Sequence, residues 1–381
     1  MPELTIDPVR TAADLEAFAF FPWKVYRGDP YWVPPLLSER RKLVDRERFP
    51  FFEHSQAEFF LAKRAGQVVG TVAGIANRRY NEFHSSNVGW FGFFEVLDDP
   101  EAAAALLTTV SGWGREQRFE AMLGPAQYST NEETGLLIDG FEDAPRIMMT
   151  YNPRRYIGYL EQAGFTKAMD LFAYRESISQ FRENIPPKLQ RVVEKVQERG
   201  KFTLRKLDMK RFDQEIEHVK RLYNSSWERN WGFVPMTEPE FDHLAEQLKP
   251  ILDPDLVLVV EHEGEPVAFG LTLPDLNEPL LRAYPRPDTP EWLTLGKLAW
   301  QWKVRGGLKW LRVIALGVQP EFRGQGVDAM LYLQTARNAF PKGYQFAEMS
   351  WILESNDMMN RAIRLLGGEV YKTYRVYEQR L

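Results

Sequence analysis

The chain lacks cysteine altogether. That absence excludes disulfides, thiolate metal sites and a cysteine nucleophile, and it permits a reducing compartment. Histidine is sparse: His54, His84, His218, His243 and His262 stand far apart, with no H-x-x-x-H or H-x-E pairing near other ligands. No metal site is expected. A G-x-S-x-G nucleophile elbow is missing as well. No uninterrupted apolar stretch approaches the roughly 20 residues of a membrane span, and the opening MPELTIDPVRTAADLEAF has neither the basic flank nor the apolar run of a signal peptide. A soluble, cytoplasmic protein is the expectation. Basic excess is absent too. The 48 Lys and Arg against 53 Asp and Glu give a net charge of −5, which sets the chain apart from general nucleic-acid binders while leaving room for local patches.

Apolar residues make up 44% and charged ones 27%, the balance of a globular chain rather than a disordered one. A length of 381 residues exceeds one ordinary core and points to two domains, or one large one. The break falls at a basic segment, residues 186–211, read as a solvated helix ending at Gly200 followed by a strand. Hydrophobic periodicity alternates between strand and helix, so the class is α/β (α+β).

Each half follows one plan. Hairpins are expected at Glu58 to Ala76, turning at Ala65-Gly66, and at Leu256 to Leu273, turning at Glu263-Gly264. A further strand follows in each half (Gly89 to Val96; Trp310 to Val318), then a helix (Pro100 to Phe119; Gly324 to Phe340). Another strand comes next (AMLGPA; FAEMSWI), and a helix closed by glycine leads to a last strand. This is an internal repeat of ~170–190 residues.

GVQPEFRGQGVDAMLYL, residues Gly317 to Leu333, is the most informative stretch. Gly324 and Gly326 allow positive φ and close approach of a ligand, and a helix N-terminus follows that offers amides and partial positive charge. A pyrophosphate is the natural occupant. Arg323 either contacts it or caps a neighbouring carbonyl. Asp328 stands in the first helical turn, where the helix dipole favours it, and is expected to point away and leave the amides of residues 324 to 327 free. In the first half, Asp98 or Asp99, Pro100 and Glu101 fill the corresponding place, so no phosphate site is expected there.

The order of elements resembles the GNAT superfamily, the acyl-CoA N-acyltransferase fold, and Val318, Pro320, Arg323, Gly324 and Gly326 match its cofactor motif. The whole chain is similar to large bacterial tandem GNAT proteins, mostly of unassigned substrate. The resemblance implies two tandem domains, each a mixed, centrally splayed sheet flanked by helices. Residues 1–185 would form a degenerate domain without a cofactor motif and residues 186–381 the domain that binds acetyl-CoA or a longer acyl-CoA. It implies backbone contacts from Leu316 to Val318 to the pantetheine and oxyanion, and a cradle of Arg323, Gly324, Gln325, Gly326 and Val327. Asn356 would lie near the pantetheine arm or cap its helix. At the place of the superfamily's general-acid tyrosine stands Ile363, leaving Tyr371, Tyr374 and Tyr377 as replacements, with Tyr374 preferred.

Acyl transfer to an amine needs a base. Strand residues Val313 to Leu316 supply none. Glu348 is the leading candidate, sharing a strand face with Ser350 and expected in a partly apolar cleft. Glu354 is a further candidate, and Glu95, a strand-end carboxylate of the kind usually solvated, is another. NSSWERNWGFVP (Asn224 to Pro235) reads more as packing than as a pocket, and the long loop Gln127 to Pro145 suggests a function of unread chemistry.

The expected function is N-acyl transfer from acyl-CoA to a primary amine, small molecule or lipid, with a long acyl chain and a lipid amine as one version. An acyl carrier protein is a candidate partner, and so is peripheral contact with a membrane through the basic segment. The alternatives are a tRNA-dependent aminoacyl transferase, disfavoured by net charge, and a non-catalytic CoA- or lipid-binding protein.

Overall fold

A computed structural model describes residues 2–228 and 230–381. Arg229, within the Asn224 to Pro235 stretch, lies outside the described residues. The strands are β1 (Leu4–Pro8), β2 (Gln56–Arg64), β3 (Gln67–Ala76), β4 (Val88–Val96), β5 (Ala121–Gly124), β6 (Leu136–Asp139), β7 (Thr166–Ser177), β8 (Phe202–Lys206), β9 (Val257–His262), β10 (Glu265–Pro274), β11 (Trp310–Val318), β12 (Phe346–Leu353) and β13 (Glu369–Arg380). The helices that bear on function are α1 (Pro100–Glu116), α2 (Arg155–Gln162), α3 (Pro187–Glu198), α4 (Phe212–Trp227), α5 (Glu291–Ala299), α6 (Val327–Ala339) and α7 (Asp357–Leu365).

Two compact units form, and they do not follow a single cut at 185/186. The first comprises 1–171, 279–304 and 372–381; the second comprises 172–278 and 305–371. Chain neighbours part because long-range strand pairing outweighs sequence proximity: the end of β13 joins β5 and β6 in the first unit.

In the first unit the strand order is β1-β2-β3-β4-β5-β13. The β2–β3 hairpin turns where expected, with Ala65 at φ 46° and Gly66 at φ 75°, the doubly positive pair that suits strand twist. α1 starts at Asp99, whose carboxylate accepts from the Ala102 amide, and Pro100 fits the first turn. Its apolar side, Leu106, Leu107 and Val110, packs with Val72, Phe91 and Val96, and Leu160 of α2 joins the same core.

The second unit repeats the plan in the order β8-β9-β10-β11-β12, with β7 beyond β12. Glu263 (φ 53°) and Gly264 (φ 86°) make the matching hairpin turn. Val327 and Leu331 of α6 bury against Leu258, Val260 and Val267 on one face of the sheet. On α4, Leu222 packs with Phe269 and Ala315.

The basic segment becomes α3, a break at Gly200 (φ 63°), and β8. Much of its later charge is used internally: Arg205 pairs with Glu215 and Glu261, Lys206 with Asp255, and Arg211 with Asp208. That leaves less of it for RNA or an acidic partner.

Candidate functional site

In the second unit β11 and β12 run parallel and pair only from Trp310↔Phe346 to Val313↔Met349. Beyond that point β11 continues to Val318 and β12 to Leu353 without a shared ladder. The cause is local. On the β10 side Leu271 faces Ala315 and Thr272 faces Val313, so Ile314 is an extra residue, a bulge that bends the strand where the ladder stops. Backbone groups from Ile314 to Val318, including Leu316, are thereby presented along an edge without a neighbouring strand.

That edge leads into the glycine turn. Gly324 has φ 71°; Gly326, at φ 84°, is the N-cap of α6. Among the described residues, no hydrogen bond is donated by the backbone amides of Gly324 through Ala329. Six successive amides at a helix start could receive an anion. The two glycines are required for different reasons. A Cβ on Gly324 would meet open space, so only φ demands glycine, whereas one on Gly326 would come within 2.7 Å of Val192 Cγ1 and 2.8 Å of Val196 Cγ2 on α3.

Arg323 takes the capping role: its Nε donates to the Val318 carbonyl (3.2 Å) and Nη2 to the Ser226 carbonyl (2.9 Å), tying the turn to the end of β11. Gln325 Nε2 donates to the Glu321 carbonyl at 2.9 Å, and Val327 is buried. Asp328 is exposed. Burial first, and then the Asp328 charge one turn away, raises the Tyr332 phenol above its ordinary range.

Glu348 does not lie in an open cleft. It pairs with Arg312 inside the ladder and is fully buried. Ser350 Oγ donates to its Oε1 and the Tyr371 hydroxyl to its Oε2. The Arg312 guanidinium is 3.7 Å from Oε1, and its Nε donates to Ser350 Oγ at 2.8 Å. Strand alternation correctly puts Glu348 and Ser350 on one face; the missed partner is Arg312. An arginine in the otherwise apolar WLRVIALGV was the available signal, because a buried guanidinium demands a carboxylate. Tyr371 is the partly exposed member of this network.

Asn356 caps α7, its Oδ1 accepting from the Met359 amide at 3.2 Å. Tyr374 belongs to the other unit, fully buried opposite Leu137 of β6, and does not join Glu348.

Between α6 and the sheet of the second unit lies a cavity, partly open to solvent. Leu311, Val313 and Leu316 of β11, Ala347 and Met349 of β12, and Ala336 and Ala339 of α6 line it. Among the described residues, two polar atoms on it have no hydrogen-bond partner: Thr272 Oγ1, in a side chain 1% exposed, and Glu176 Oε1. Burial pushes the Glu176 carboxyl up to about 8, so it is mostly uncharged at neutral pH.

The first unit contains the same opening, closed. β4 and β5 pair from Val88↔Ala121 to Trp90↔Leu123 and then part. The backbone of Ala126, just before the long loop, crosses the gap: its amide donates to the Phe91 carbonyl at 2.9 Å. At the start of α1, Arg64 grips both Asp99 oxygens (2.6 and 3.0 Å) and Glu101 (2.6 Å), so carboxylates stand where phosphate would be needed. Glu95 departs from expectation. It is not a solvated strand end: the Tyr26 hydroxyl donates to it (2.9 Å), the Tyr156 hydroxyl lies 3.0 Å away, and burial lifts its pKa to about 7. No local pattern announced partners 69 and 61 residues distant.

No family model matches the chain. Protein YghO of Escherichia coli (strain K12) is 34% identical over 372 residues, 97% of this chain and 93% of that protein. A bacterial ceramide synthase of Caulobacter vibrioides is 34% identical over 384 residues, 100% of this chain and 98% of that protein. Among solved structures, a tandem GNAT protein from the clavulanic acid biosynthesis pathway shares the fold with TM-score 0.58 at 10% identity, covering 99% of this chain and 98% of that one. Full-length identity above 30% with two relatives places the chain in one family with YghO and the bacterial ceramide synthase, and its doubled splayed sheet has the fold of tandem GNAT proteins.

Proposed function

We propose that the chain is an N-acyltransferase that carries a long acyl group from acyl-CoA to the primary amine of a lipid. The observation that carries this reading is the glycine turn with its six undonated amides at the end of the β11 free edge. The pyrophosphate of CoA sits on the amides, the pantetheine adds to the free edge as a strand would, and the thioester arrives near the bulge at Ile314. There the amine nitrogen attacks the carbonyl carbon, a C–N bond forms, the C–S bond breaks, the amine gives up a proton and the CoA thiolate takes one from water. Backbone amides of the bulged edge stabilise the oxyanion. Tyr371, bonded to Glu348, relays the amine proton to that carboxylate.

Two features support the finer substrate assignment. The cavity beneath α6 begins at Leu316, on the same edge, and is walled by apolar side chains, which suits an acyl chain. The relative from C. vibrioides is named a ceramide synthase, and a ceramide is an N-acylated lipid amine.

The test is to supply acyl-CoAs of increasing chain length with a long-chain amino alcohol or a soluble diamine, detecting amide by mass spectrometry. Long-chain amide of the amino alcohol is the expected product. Tight acyl-CoA binding without release of free CoA for any amine would replace this reading by a binding protein. Ala336→Phe, which fills the cavity, should shift preference toward shorter chains while leaving acetyl-CoA binding intact.

A further inference from the structure

Exposed apolar side chains are concentrated in one place. Of the ten large ones exposed among the described residues, Trp292 (70%), Leu293, Leu295, Trp300 (52%) and Val304 fall between positions 292 and 304. They lie on α5 and on the π-helical turn Trp300–Val304 that continues it. Clustering of this kind is uncommon on a surface that meets only water.

The segment is held firmly in its own unit. Trp23 Nε1 donates to the Pro285 carbonyl at 2.7 Å, the Tyr284 ring meets Trp32 edge-on, and the Glu291 carboxylate accepts from the Ser38 amide and hydroxyl at 3.0 Å each. Its outward side is therefore built. At 100° per residue Trp292, Leu295, Ala299 and Trp300 share one side of α5 and its continuation, while buried Thr294 points the other way. Lys297 and Lys303 are exposed on the same segment, and its one acid, Glu291, is taken by Ser38.

We infer that this face of α5 docks on an anionic lipid bilayer, with the tryptophans and leucines entering the acyl boundary and Lys297 and Lys303 against headgroup phosphates. Tryptophan has an apolar body and a polar N–H, which suits it to that boundary, and lysine keeps its stem in the apolar layer while its ammonium stays wet. Charge selects the occupant. A second copy of the chain, related by two-fold symmetry, would bring this face against itself and set lysines against lysines, whereas anionic headgroups complement them. The inference goes beyond the acyltransfer reading and does not depend on it.

The experiment is flotation of the full-length protein with phosphatidylcholine vesicles, with and without phosphatidylglycerol, beside quenching of tryptophan fluorescence by brominated lipid. Wild type should float with the anionic vesicles and be quenched. The double change Trp292→Ser and Trp300→Ser should weaken binding about tenfold or more. Lys297→Glu with Lys303→Glu should reduce binding and its salt dependence. All four side chains are exposed, so thermal unfolding should be unchanged. Indifference of the wild type to anionic vesicles, or undiminished binding by the tryptophan variant, would overturn the inference. So would conversion of a dimer to a monomer by that variant without vesicle binding, which would assign the face to a second copy. No acyl transfer enters the readout, so failure here is distinct from failure of the proposed function.

Discussion

Gly92 and Ala126 are in such close apposition that a Cβ on Gly92 would lie 1.7 Å from the Ala126 carbonyl oxygen. The first unit's opening is thus filled by its own backbone, and neither side can yield cheaply. Gly92→Ala should lower the unfolding midpoint by roughly 5 to 10 °C, as overpacking against a carbonyl costs a few kcal/mol. Calorimetry reads the shift. An unchanged midpoint would mean that the crossing loop gives way and that the opening is not sealed.

The cradle in the second unit discriminates between its glycines. Gly326→Ala combines strain at positive φ with a collision against Val192 and Val196, so acyl-CoA affinity should fall about tenfold or more. Gly324→Ala meets open space and carries only the φ strain, so its loss should be smaller. Asp328→Ala should preserve or strengthen binding, since it removes an exposed negative charge from the first turn. Titration calorimetry with acetyl-CoA gives the order, and equal loss at both glycines would count against the packing argument.

Tyr371→Phe removes the hydroxyl of the partly exposed member of the Glu348 network while keeping the Arg312–Glu348 pair. Turnover should fall by about 10²–10⁴ with acyl-CoA affinity and fold retained. Glu348→Gln should behave differently, because Arg312 would remain buried beside a neutral amide, and stability should drop by about 3–5 kcal/mol. Denaturant melts separate the two. Full activity in Tyr371→Phe would end the relay.

Glu95 gives a pH signature. Its carboxyl titrates near 7 in the folded chain against an ordinary 4.5, so between those values the native state holds more protons than the unfolded state. Stability from this group is therefore intact below about 4.5 and falls as pH rises through 7, by about 3 kcal/mol at most. Glu95→Gln should flatten that part of the profile. The Glu176 contribution, which runs on to about 8, should remain. Superimposable profiles for wild type and Glu95→Gln between pH 4 and 8 would show that Glu95 is not desolvated.

Much of the architecture was legible in one dimension. Hairpin turns at Ala65-Gly66 and Glu263-Gly264, the capped start of α1 at Asp99 and the glycine turn before α6 all depend on residues within a few positions of one another. Local backbone preference and hydrophobic period determine such features, and the repeat of the plan made each half support the other. The missing cysteines and the sparse histidines narrowed the chemistry in the same direct way.

Contacts between distant segments decided the rest. Glu348 was read as an open base because Arg312 and Tyr371 lie 36 and 23 residues away, and Glu95 as solvated because Tyr26 and Tyr156 come from other elements. The seal of Ala126 over Gly92, the cavity beneath α6 and the exposed side of α5 likewise depend on how elements pack. The physical reason is that burial, and with it the cost of a charge or the use of an apolar side chain, is a property of the assembled surroundings. Periodicity announces which side of an element is apolar; only the packed structure determines whether that side meets core, a cavity or the outside.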